Sequence, residues 1–178
     1  MLTHATVDTY PGMLPVLLPL IRSHFQLSLT QGVILISVMN LTANVVQLLT
    51  GHLRAHDRRP FFILLGSWLA AALVAIPLVP VTPAALWLLG GLMLISGAGV
   101  AVVHPEGLRA VHALDRLPPA FCTSFFLTGG FIGFSAGAWL ATALVDRWGL
   151  PGLYGLGLVS LGSFIAVAAL KVPLAIEP

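Results

Sequence analysis

Two short groups of residues in this chain have the types and spacing for chemistry. His4 and Asp8 stand four apart, so a helix would place them on one face. His104, Glu106 and Arg109 fall in the stretch GAGVAVVHPEGLRAVHALDR, residues 97–116, where an apolar run meets an imidazole, a proline and a carboxylate in succession. Glu106 and Arg109 are three apart and can pair on a helix. Carboxylates and imidazoles in a half-dry setting exchange protons readily, which suits a proton relay. His4, Asp8, His104 and Glu106 could also hold a divalent cation if their helices met, as a secondary ligand role. No metal-ligand cluster with recognisable local spacing and no serine–histidine pair is present, so no metal, cofactor or enzymatic activity is expected.

These groups stand out because charge is scarce elsewhere. Of 178 residues, 58% are hydrophobic and 8% charged, and the mean hydropathy is +1.00. Soluble domains carry roughly 25% charged residues, so a water-facing surface cannot be built from this composition. An all-α membrane protein is expected, with the lipid bilayer as its first partner. Eight Lys/Arg against six Asp/Glu are spread thinly, without a basic stripe, and nucleic-acid binding has no support. Cys122 has no partner for an internal disulfide. The start MLTHATVDTY lacks a basic n-region and Asp8 interrupts its apolar run, so no cleavable signal peptide is expected.

A spanning helix needs about 20 mostly apolar residues, and turn and charge signals divide the chain into six such pieces. They run about 3–23, 29–51, 60–79, 84–115, 119–144 and 151–172, as one six-helix domain over 1–178. Ser28 and Gln31 have the spacing of a capping box at the start of the second. The fourth is the open question. If it ended at Val103, His104 to Arg116 would be an interfacial loop; however, no breaker follows until Pro118. A helix over 84–115 would be about 48 Å long, overshooting a hydrocarbon layer of about 30 Å. Pro105 would bend it, with His104 and Glu106 in the inner half of the membrane.

Arg54, Arg58, Arg59, Arg109, Arg116 and Lys171 fall on one side of these spans, and Arg22 and Arg147 on the other. The bias places both termini in the cytoplasm. Within the spans, ionisable groups cost roughly 2.5–3.5 kcal/mol each and face a protein interior or wet cavity. His4 and Asp8 therefore either line such a cavity or sit at headgroup level near the terminus. Pro11, Pro15 and Pro19 follow on the same span and free backbone carbonyls that neighbours or water must satisfy. Ser37, Asn40, Asn44, Gln47 and Gly51 form one polar stripe on the second span, serving either helix–helix hydrogen bonds or a solute path. Gly129, Gly130, Gly133 and Gly137 give overlapping GxxxG spacings, expected to allow close helix packing.

The segment TGHLRAHDRRPF between spans two and three resembles the cytoplasmic loop motif of the major facilitator superfamily, led by Gly51 with Arg58 and Arg59. It departs from the pattern at Ala55, where the family has an aspartate, and at Arg58, where it has a glycine; Asp57 offers the acid from a shifted position. HATVDTYPGMLPVLLPLI, HPEG and TGGFIGFSAG, in that order, are similar to the first half of the fosmidomycin-resistance branch, which are drug-exporting permeases. The resemblance implies two six-helix halves, each of two inverted three-helix repeats, with substrate bound between the halves. It also implies that the first and fourth helices line the cavity, and these carry His4, Asp8, His104 and Glu106.

On this reading the chain is half of a proton-coupled exporter of a small organic solute or drug in the cytoplasmic membrane. Its second half is expected to be another copy rather than a separate partner chain. Asp8 and Glu106 would carry protons, with His4, His104 and Arg109 tuning them or contacting solute, and Asn40, Asn44 and Gln47 lining the path. The alternative is a non-transporting membrane scaffold derived from a transporter half.

Overall fold

The computed structural model describes residues 1–53, 61–112 and 117–169. Among them all regular secondary structure is helical, with no strand. Helix α1 spans Leu2–Phe25, α2 Leu29–Leu53 and α3 Phe61–Ala70, the last continuing as a 3₁₀ segment over Ala71–Leu78. Helix α4 spans Ala85–His112 and α5 Pro119–Trp148; a 3₁₀ turn over Leu150–Leu153 leads into α6, Tyr154–Ala169. The loop motif residues Asp57, Arg58 and Arg59 lie outside the described residues.

Local chemistry sets several of these boundaries. Gln26 takes the left-handed conformation that ends α1, its N–H bonding the Arg22 carbonyl. At the start of α2 the capping box forms: the Ser28 N–H donates to Gln31 Oε1 at 2.8 Å, and the Gln31 N–H to Ser28 Oγ at 3.1 Å. Gly149, at φ 65°, stops α5 four residues beyond the sequence-based limit, because only glycine adopts that conformation without strain. Pro105 does not end α4, which continues to His112 and carries His104, Glu106 and Arg109 on helical backbone.

Four stretches among the described residues are long and apolar enough to cross a membrane: Leu29–Leu53, Ala85–His112, Pro119–Trp148 and Leu150–Val167. Ile63–Leu78 is a shorter apolar stretch. Helix α1 has the length, 24 residues, but His4, Asp8, the threonines and three prolines dilute its apolar character. Its polar residues are instead turned inward. His4, Thr6 and Thr9 are buried beside Val7, Tyr10, Met13 and Leu17.

Helix α1 is the most enclosed element and packs chiefly on α5, while α2 packs chiefly on α4 and α3 on α4. Without a hydrophobic force between helices in lipid, close approach depends on small residues. A Cβ added at Gly133 would collide with the Ala5 carbonyl, at Gly137 with that of Thr9, and at Gly12 with that of Phe134. The glycines of α5 are thus the seam against α1. The same device recurs where Gly99 of α4 meets Gly66 and Ala70 of α3. Large apolar side chains, among them Trp87, Trp139 and Leu158, stand outward, as suits a bundle surrounded by lipid.

Candidate functional site

His4, Asp8 and His104 converge at the end of the bundle where α1 begins, α4 ends and α5 starts. His4 Nε2 lies 3.0 Å from His104 Nε2 and 3.1 Å from Asp8 Oδ2, and His104 Nε2 lies 3.4 Å from Asp8 Oδ1. One turn of α1 places the first two on a common face; the passage of α4 through Pro105 brings the third. Side-chain exposure is 3% for His4, 16% for Asp8 and 22% for His104, so the group is inside the protein yet reachable from one side.

Both rings are held by their other nitrogen. His4 Nδ1 donates to the Phe126 carbonyl at 2.8 Å, and His104 Nδ1 to the Val100 carbonyl at 2.7 Å. A carbonyl oxygen can only accept, so both Nδ1 atoms carry hydrogen and both Nε2 atoms turn toward Asp8. The Phe126 ring stacks on His4, centroids 3.9 Å apart and planes 15° from parallel. Opposite, a Cβ at Gly130 would sit 2.6 Å from Asp8 Oδ2 and from His4 Cε1. Gly130 therefore makes room for the cluster as well as serving the α1–α5 seam.

A cavity of about 440 Å³, lined by His4, Asp8, His104, Leu127, Gly130, Phe131 and Phe134, opens on the cluster. A second, of about 710 Å³, reaches His104 from the α2 side, past Asn44, Gln47, Gly51 and Phe126. Asn44 and Gln47 of the polar stripe thus face the path to His104. Asn40, a turn away, is exposed, its carbonyl accepting a hydrogen bond from Asn44 Nδ2 at 2.8 Å.

Glu106 does not join the cluster. Arg109 Nη2 donates to its Oε2 at 2.8 Å, and both line a separate cavity of about 310 Å³ with Thr50, Gly51, Pro105, Leu108 and His112. The Glu106 side chain is 2% exposed, so the pair seats a carboxylate deep between α4 and α2. Gly51 borders both this cavity and the one leading to His104.

The sequence singled out His4, Asp8, His104 and the Glu106–Arg109 pair but grouped Glu106 with the histidines. The structure separates them, because Glu106 lies two residues beyond His104 and therefore around the helix. Phe126 and the site role of Gly130 were missed. Gly130 carried the signal of GxxxG spacing; Phe126, one turn before it, carried none.

No family model matches the chain. It is 28% identical over 164 residues to an uncharacterized MFS-type transporter of Bacillus subtilis, YfnC, an alignment covering 92% of this chain and 36% of that protein. The chain thus spans about a third of the length of this curated relative. Together with its long apolar helices, the likeness makes it a multi-pass membrane protein with an MFS-type transporter as a distant homologue.

Proposed function

We propose that the chain forms one six-helix half of a secondary active transporter that exchanges a small organic solute for protons. The observation that carries this reading is the buried His4–Asp8–His104 cluster, set in an apolar bundle and opened by cavities on two sides. Lipid tolerates such groups only where helices fold them around a wet interior, and there they mark the route of an ion or solute. Asp8 and Glu106 carry the protons. His4, His104 and Arg109 set their environment, and Asn44 and Gln47 line the solute path with Asn40 at its edge.

All six helices cross the membrane in this proposal, and both termini lie in the cytoplasm. The cluster then sits in the cytoplasmic half of the inner membrane, at the start of α1 and α5 and the end of α2 and α4. The pairing of α1 with α5 and of α2 with α4 supports two three-helix repeats: exchanging α1–α3 for α4–α6 converts one pair into the other. A second copy of the chain supplies the other half, related by a two-fold axis along the membrane normal. Rocking of one half against the other exposes the site alternately. Export of drug-like solutes, as in the fosmidomycin-resistance branch, is the direction proposed.

The test is proton flux in proteoliposomes under an imposed pH gradient, with fosmidomycin as the first solute probe and a pH-sensitive dye as readout. Solute-dependent proton movement is expected with the wild-type chain and should fall at least about tenfold in Asp8→Asn and in Glu106→Gln, since neither amide can carry the proton. Undiminished flux in either variant removes that residue from the mechanism.

A further inference from the structure

We infer that His4, Asp8 and His104 form a binding site for a divalent transition-metal ion of the Zn²⁺ class. Each ring spends its Nδ1–H on a backbone carbonyl, so each neutral ring presents a lone pair at Nε2. Those two lone pairs face each other at 3.0 Å, with the Asp8 carboxylate against both. Three electron-pair donors this close repel one another unless an electron-pair acceptor joins them. A proton satisfies one such contact; a metal ion satisfies all three.

The geometry fits the ion. Ligands about 2.0–2.1 Å from a tetrahedral centre are separated from each other by about 3.3 Å. The separations here are 3.0, 3.1 and 3.4 Å. The donor set, two imidazoles and a carboxylate, suits Zn²⁺, Co²⁺ or Ni²⁺ and is a poor match for Mg²⁺ or Ca²⁺, which take oxygen ligands. The Nδ1–H bonds to the Phe126 and Val100 carbonyls are the outer contacts that ordinarily fix a metal-binding histidine in orientation and tautomer.

Gly130 keeps the flank of the cluster open, and the adjoining cavity of about 440 Å³ offers entry and room for water or solute in a fourth position. The ligands come from two helices, α1 and α4, clasped through α5, so the site exists only in the folded bundle. This inference stands apart from the transport reading. It needs only the folded chain, and a metal ion and a proton are alternative occupants of the same three side chains.

The experiment uses the tag-free full chain in detergent, titrated with Co²⁺ while the visible ligand-field spectrum is recorded, then back-titrated with Zn²⁺. Expected are tetrahedral Co²⁺ bands saturating at one equivalent per chain and erased by Zn²⁺. Asp8→Asn and His104→Gln should each weaken the binding more than about 100-fold, beyond what loss of an outer contact does. His24→Gln, on the exposed end of α1, should bind as the wild type does. Helical content by circular dichroism verifies that each variant is folded. Absence of saturable binding to the wild-type chain overturns the inference without reference to any variant. Wild-type affinity in folded Asp8→Asn or His104→Gln overturns it as well. Neither result bears on whether the chain moves solute.

Discussion

A histidine has two nitrogens, and at His4 and His104 the backbone has claimed one of each. That assignment turns two ordinary helix residues into a directed pair around Asp8. The same economy appears at Tyr10, which is fully buried and whose hydroxyl meets Ser160 Oγ at 2.6 Å and the Leu156 carbonyl at 3.2 Å. It ties α1 to α6 by a polar contact in an apolar interior. Tyr10→Phe removes one donor and leaves Ser160 without that neighbour. Between helices in membranes such contacts average about 0.6 kcal/mol and reach roughly 1.7. The expected loss lies toward the upper figure, because the site is closed to water, and thermal unfolding in detergent would measure it. An unchanged midpoint would mean that Ser160 finds an equal partner elsewhere.

At the scale of elements, the seam between α1 and α5 governs the site, since the Phe126 carbonyl and Gly130 both belong to α5. Gly133→Ala would drive a methyl group into the Ala5 carbonyl, and backbone cannot step aside as a flexible side chain can. The helices must part. We expect a cost of about 1–3 kcal/mol, the range for overpacking a close-fitted contact, with a lowered unfolding midpoint. Gly91→Ala on α4 is the matched comparison, because nothing lies within 4 Å of its added Cβ. It should be neutral or slightly stabilising, alanine being favoured over glycine by up to about 1 kcal/mol in a helix. Equal losses in the two variants would show that the glycines act through helix propensity rather than through contact.

At the scale of the whole molecule, the exposed surface carries information too. Asn40, Asn44 and Gln47 lie on an exposed face of α2, flanked by outward Leu41, Leu48 and Leu49. Bare amides toward lipid are costly, and a second half seated across this face would enclose them with the two cavities that reach His104 and Glu106. The prediction is a detergent-solubilised protein mass of about 37 kDa, twice the 18.7 kDa chain. Light scattering with the detergent contribution subtracted would measure it. A strict monomer, or a stable complex with an unrelated protein, would support the scaffold reading instead.

Much was legible in the sequence because lipid imposes a simple rule. Few charges and long apolar runs require helices, and the rare ionisable residue must face inward. His4, Asp8, His104, Glu106 and Arg109 could therefore be picked out by type alone, and the glycine repeat of α5 by spacing. Tertiary structure decided which of them meet. Rotation of α4 about its axis sends His104 toward α1 and Glu106 toward α2, and hydropathy carries no measure of rotation when most of a helix is apolar. The stacking of Phe126 on His4 and the space left by Gly130 depend on how closely two helices approach, which is a property of the pair and belongs to neither strand of sequence alone.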